Sequence, residues 1–229
     1  MALILYLETA TEVCSVVLAE NEKLIAEKHS SEPRLHAQLL TVFIGQLLKE
    51  TGYSFQQLDA ICVSKGPGSY TGLRIGVAVA KGLCFALEKP LIAVNTLYSM
   101  TICMIDELGK RGITNQSERL FCPMIDARRM EVYMAIFDLL GKEIFPTKAV
   151  ILDNETFKDY DNNKLIFFGD GAFKLKGNPV LDARIIDNFQ ISASGMIIEG
   201  IKRYKDGQFE DIAYFEPFYL KEFVGNKAN

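Results

Sequence analysis

The sequence has no Cys-x-x-Cys pair, only two histidines and no excess of basic charge, and each shortage removes a class of function. The five cysteines, Cys14, Cys62, Cys84, Cys103 and Cys122, are odd in number and scattered through apolar stretches. They read as buried, reduced thiols of a cytoplasmic protein, neither a disulfide framework nor a zinc site. His29 and His36 have no cysteine nearby, and Leu40 stands where a second helical metal ligand would follow His36. His36 therefore reads as a helix-surface residue, and no metal is expected. A formal net charge of −4 argues against a chain that grips nucleic acid by itself. No apolar run reaches the roughly eighteen residues of a membrane span. The start, Met1–Leu7, lacks a basic region and meets Glu8 too early for a signal peptide.

What is present is an ordinary globular composition: 229 residues, 49% apolar and 24% charged. That allows one large domain or two small lobes. Ala2–Leu7, Cys14–Ala19 and Lys23–Lys28 read as three strands of an antiparallel meander. Glu32-Pro33 opens a helix to about Glu50, stopped by Thr51-Gly52. A strand at Asp59–Lys65, a helix at Thr71–Leu87, a strand at Leu91–Val94 and a helix to about Leu108, capped by Asn95 or Thr96, complete the first half. Polar Lys110–Arg119 separates it from a second pass. That pass has strands at Leu120–Ile125, Val132–Asp138, Ala149–Leu152, Lys164–Phe168 and, weakly, Arg184–Ile186. Its helices fall near Glu155–Tyr160, Gly171–Lys176 and Gly195–Tyr204, the last capped by Ser192. The aromatic tail from Asp206, with Phe209, Tyr214, Phe215, Phe218, Tyr219 and Phe223, should pack back on the body. Three antiparallel strands followed by parallel crossovers is the ribonuclease-H-like layout. Two in tandem, 1–108 and 109–229, predict an α/β protein of actin-like (ASKHA) architecture, with mixed sheets flanked by helices.

In actin-like enzymes the turn after the first strand of each lobe holds phosphate. Here those turns are Glu8-Thr9-Ala10-Thr11 and Asp126-Ala127-Arg128-Arg129, and neither contains glycine. A backbone that wraps phosphate closely usually needs glycine. Glu8, Thr9, Thr11, Arg128 and Arg129 are the nucleotide-proximal candidates, the threonines as donors and the arginines as ion-pair partners. The alternatives are plain turn residues and a solvated arginine pair. Gly169-Asp170-Gly171-Ala172 matches an adenosine-contacting turn only loosely.

Gly66-Pro67-Gly68-Ser69-Tyr70-Thr71-Gly72-Leu73-Arg74 runs from a strand into a helix, where free N–H groups can hold an anion. It fails each known loop. Tyr70 replaces the Walker lysine, Thr71 replaces the third glycine of a dinucleotide fingerprint, Asn95 is not the acid that should end the next strand, and Gly68-Ser69 lacks the nucleophile-elbow spacing. A rigid strand-to-helix connection is the plain alternative. The two helices carry more apolar surface than one buried face needs. In Leu35–Leu48 eight positions are apolar, and Thr71–Leu87 has only Arg74 and Lys81 charged. Gly72, Gly76 and Ala80, at helical spacing, would let another helix approach. Either the lobe's own helices cover this surplus or a protein partner does.

Ser64–Gly76 within Ala60–Thr96 closely resembles the TsaB (YeaZ) proteins. So do Leu7-Glu8-Thr9-Ala10-Thr11, Asp126-Ala127-Arg128-Arg129 with Glu131-Val132-Tyr133, and Pro217-Phe218-Tyr219-Leu220-Lys221. Glu8 departs from the aspartate that relatives often carry. The resemblance implies a cytoplasmic, bacterial, two-lobed scaffold needed for threonylcarbamoyl transfer to adenosine 37 of tRNA. Such a scaffold is non-catalytic, without cofactor or membrane, and lacks the metal-binding histidines of its catalytic partner, TsaD. It further implies pairing with TsaD through the two N-terminal helices, a homodimer through the same face in TsaD's absence, a TsaE-like ATPase in the complex, and tRNA contact only through the complex. The interface residues expected on these helices are Leu35, Leu39, Phe43, Leu47, Leu73, Gly76 and Ala80. The competing expectation is an actin-like ATPase or phosphotransferase with its own nucleotide site. A peptidase would need a spaced Ser, His and Asp set, which is not there.

Overall fold

The computed structural model describes residues 1–32, 35–113, 118–177 and 185–221. Two five-stranded sheets repeat one topology. In the first, β1 (Leu3–Glu8) lies between β2 (Cys14–Glu20) and β4 (Ala60–Gly66); β3 (Lys23–Ser30) and β5 (Leu91–Asn95) form the edges. β1–β2 and β2–β3 are antiparallel, and β1–β4 and β4–β5 are parallel. The second sheet has β6 (Leu120–Asp126) in the centre, β7 (Glu131–Phe137) and β8 (Glu143–Ile151) antiparallel on one side, and β9 (Leu165–Phe168) and β10 (Ile185–Ile186) parallel on the other. Counted from its own first strand, each sheet has the order 3-2-1-4-5. These are two tandem ribonuclease-H-like lobes, the actin-like fold.

β1 is buried on both faces, so its run of apolar residues divides by parity. Leu3, Leu5 and Leu7 face α1 (His36–Thr51) and α2 (Tyr70–Leu87), meeting Leu40, Ile44, Leu47, Val77 and Ala80. Ile4 and Tyr6 face the other way, onto Met196, Ile197 and Ile201 of the last described helix, α4 (Ile197–Lys205), and its lead-in turn. α3 (Thr96–Lys110) in turn lays Leu97, Met100, Met104 and Leu108 against Phe121, Ile125, Ala135 and Phe137 of the second sheet. Thus the helix that ends the first half covers the second sheet, and the helix that ends the second half covers the first.

Several local expectations change. Glu155–Tyr160 is a series of turns, Gly171–Lys176 is a 3-10 turn at Asp170–Leu175, and β8 begins six residues before Ala149. The expected opening of α1 at Pro33 and the aromatic Phe223 lie outside the described residues; so does Arg184. Asn95 caps α3, its Oδ1 accepting from the N–H groups of Leu97 and Tyr98. Ser192 caps the turn Ala193–Met196 that leads into α4.

Candidate functional site

The first turn is sealed. Glu8 and Thr9 are fully buried. The Glu8 Oε1 accepts from Ala10 N at 2.6 Å and from Ser64 Oγ at 2.9 Å, while Oε2 has no protein partner. Burial pushes this carboxyl up to about 7, against the hydrogen bonds that favour its charge. Thr9 Oγ1 donates to Gly72 O at 2.8 Å, and Ser69 N donates to Ala10 O at 2.6 Å. A Cβ on Gly68, Gly72 or Gly76 would collide with Ala10 or Thr9. The small residues therefore admit the chain's own first turn, where the sequence suggested a second helix. Thr11 is half-buried and its Oγ1 accepts from Val13 N at 3.2 Å. Glu8 and Thr9 present no atom to a phosphate in this arrangement, which corrects their assignment as nucleotide-proximal residues.

The second turn is open. Arg128 and Arg129 are exposed and take φ of 72° and 49°, a left-handed pair without glycine. Asp126 Oδ1 accepts from Arg128 N at 2.5 Å and from Lys174 Nζ at 2.6 Å. Partial burial opposes its charge, but the Lys174 ammonium and the Arg128 N–H prevail and hold the carboxyl below its usual range. Asp170, which accepts from Asp126 N at 3.1 Å, is pushed up by burial and by the charges of Asp126 and Glu12. The carboxylates and the arginines at this turn are thus separated by backbone and lysine, and the arginine pair faces solvent. Among the described residues no three His, Cys, Asp or Glu side chains gather closely enough to hold a metal ion. His36 is 8% exposed, with Nε2 3.3 Å from Val13 O, so it is a core histidine and not the helix-surface residue expected.

The helix pair leaves an apolar surface exposed. Leu47, Leu73, Gly76 and Ala80 lie in the core under α1 and α2, with no surface to offer a partner. Leu35, Leu39 and Phe43 are half-buried, the last two packed against that core. The outward stripe consists of residues the sequence reading passed over. Ala78, Gly82, Phe85 and Ala86 are exposed on α2, Phe85 by 81%, and Val42 and Gly45 are exposed on α1, Val42 by 48%. A Cβ at Gly45 or Gly82 would meet nothing within 4 Å. α2 is 18 residues long and apolar enough to cross a membrane, which corrects the expectation that no segment is. One third of this helix is buried in the chain.

Residues 23–215 match the family model described as TsaD, tRNA N6-adenosine threonylcarbamoyltransferase. The chain is 37% identical over 132 residues to the tRNA threonylcarbamoyladenosine biosynthesis protein TsaB of Escherichia coli K12, covering 58% of this chain and 53% of that protein. It spans about half the length of this relative and of the Haemophilus influenzae TsaB, of which it covers 52%. The TsaB protein of Bacillus subtilis 168 is 31% identical over 171 residues, 72% of this chain and 70% of that one. In structure, YeaZ from Pseudomonas aeruginosa superposes with a TM-score of 0.78 at 28% identity, covering 96% of this chain and 100% of that one. With the family model matched over most of its length and the Bacillus protein over more than two thirds, the chain belongs to the TsaB (YeaZ) proteins of the TsaD family.

Proposed function

We propose that this chain is a non-catalytic subunit in the biosynthesis of threonylcarbamoyladenosine at tRNA position 37, acting in the cytoplasm by pairing with a TsaD-like transferase subunit. The observation that supports this reading best is a contrast. The turn where an actin-like enzyme would hold phosphate is packed against Gly68, Gly72 and Gly76, while an apolar stripe through Ala78, Gly82 and Phe85 is left uncovered on α2 and Val42 and Gly45 are exposed on α1. Burying such a stripe contributes roughly 25 cal/mol for each Å² of apolar surface. Small residues at its centre let helices approach closely.

A TsaD-like partner fits the stripe because the family model runs through both helices of this chain. A relative with the same helix pair can meet it face to face in a pseudo-symmetric four-helix contact. A TsaE-like ATPase joins the assembly, and tRNA is reached through the complex. The lobes are taken as 1–108 and 109–229, with the tail bound back on the body and α3 and α4 serving the opposite sheets.

The test is co-expression with a tagged TsaD-like subunit. Phe85→Glu or Ala78→Arg should reduce co-elution at least about ten-fold with the melting temperature kept, since both residues are exposed. Unchanged co-elution would sink the reading. Recovery of a homodimer that Phe85→Glu does not dissociate would assign the stripe no role in self-association either.

A further inference from the structure

We propose that the segment 210–221 is a strap that fixes α2 against the first sheet and ties it to the second lobe, so that the partner face depends on the tail. This rests on the reading of α2 as a partner helix. α2 carries only two charged residues, Arg74 and Lys81, and both hold this segment. Lys81 Nζ donates to the carbonyls of Ala213 at 3.3 Å and Phe215 at 3.1 Å. Arg74 Nε donates to the Tyr219 hydroxyl at 3.3 Å, and its guanidinium lies 4.1 Å from the centre of the Tyr70 ring. Tyr70 in turn sits 5.0 Å from the Tyr219 ring. Tyr70, Arg74 and Lys81 are four and seven residues apart, which puts them on one line of the helix.

The strap is pinned elsewhere by its backbone. Glu210 N donates to Leu91 O at 2.9 Å, extending the edge of β5 by one bridge, and Phe218 N donates to Lys65 O at 2.7 Å. Ile212 and Phe215 pack against the core beneath α2. Gly66, at φ +112°, lies so close that a Cβ there would stand 2.8 Å from Phe218 O. Glycine is required there by the backbone angle as well as by the passing strap. At the far end the Lys221 ammonium pairs with Glu131, the first residue of β7. The segment therefore runs from β5 along α2 to the end of β4 and on to the second lobe. Ala78 and Phe85 follow Arg74 and Lys81 by four residues each, so the exposed stripe of α2 adjoins the strap.

Amide hydrogen exchange on the full chain tests this, comparing the wild type with the double variant Arg74→Met, Lys81→Met and, from the strap's side, with Tyr219→Ala. Both are expected to speed exchange at least about ten-fold in 210–221 and in Lys65–Leu73, leaving α1 unchanged. Wild-type exchange in 210–221 at the rate of an unstructured peptide would overturn the proposal, as would protection unaltered in both variants. Capture by the tagged TsaD-like subunit should fall about three- to ten-fold in the loosened variants. Capture unchanged in variants whose strap has loosened would overturn the link between strap and partner face. If Phe85→Glu leaves capture intact while the exchange results hold, the partner-face reading fails and the strap stands.

Discussion

Glu8 Oε1 accepts a hydrogen bond from Ser64 Oγ at 2.9 Å, joining the ends of neighbouring parallel strands where neither residue has any exposed surface. A carboxyl so placed is cheaper to keep neutral than ionised.

Stability should therefore fall as pH rises through neutrality. The folded Glu8 titrates near 7 against an ordinary value of 4.5, so between these values the folded chain holds a proton that the unfolded chain has released. Stability from this group is complete below about 4.5 and is lost progressively up to about 7, by an amount on the order of 3 kcal/mol. Glu8→Gln keeps an oxygen for Ala10 N and Ser64 Oγ and removes the titration. Urea midpoints at pH 5, 6, 7 and 8 should decline in the wild type and stay flatter in Glu8→Gln. Parallel slopes would refute the assignment.

Two glycines of α2, Gly76 and Gly82, should respond oppositely to alanine. Gly76→Ala drives a methyl group into Thr9 and should cost about 1–3 kcal/mol. Gly82→Ala meets nothing and should stabilise by about 0.5–1 kcal/mol through helix propensity. Thermal melts of the two variants provide the comparison, and a shift in the same direction would show that the packing of the first turn is misassigned.

Mg-ATP should not bind the isolated chain tightly. Glu8 and Thr9 are buried and the Thr9 hydroxyl is committed to Gly72 O, so of the first turn's side chains only half-buried Thr11 keeps a hydroxyl at the surface, too little to hold a triphosphate. Calorimetric titration is expected to show no heat beyond dilution at about 50 μM protein, well above a Kd of about 1 μM, where such binding is easily seen. A stoichiometric transition would revive the ATPase alternative.

The thiols should be inert in the native state. Burial pushes Cys14 and Cys103 up to about 11 and Cys84 up to about 12, and Cys62 and Cys122 are held up more strongly still. Thiolate is the reacting form, so modification by an aromatic disulfide at pH 8 should wait on unfolding, with half-buried Cys103 the fastest. Rapid labelling of several thiols without urea would contradict the burial described.

The strand order was legible because the inner strands have short, dense apolar runs bounded by turns, and the same order recurs in both halves. β8 was not, since Pro146 and alternating polar residues interrupt its first half; such a pattern suits an edge strand, which is where β8 lies. The outward face of α2 was not legible. Leu73, Gly76 and Ala80, expected at a partner interface, form its inner face; a helix apolar nearly all round carries few polar residues to mark the solvent side. The two it does carry, Arg74 and Lys81, mark the side taken by the strap. What separates Ala78 and Gly82 from Gly76 and Ala80 is three-dimensional: which side of α2 the turn at Thr9 reaches.

A chain cut between α3 and β6 would yield two pieces, each carrying a helix meant for the other. The first would end in α3 with Met100 and Met104 bare, and its sheet would expose Ile4 and Tyr6. The second would hold α4 with Ile197 and Ile201 bare, and Phe121 and Ile125 uncovered. Neither piece should fold when expressed alone. Mixed, the two should restore one another by fragment complementation, so the repeated halves of this protein can be separated only as a pair.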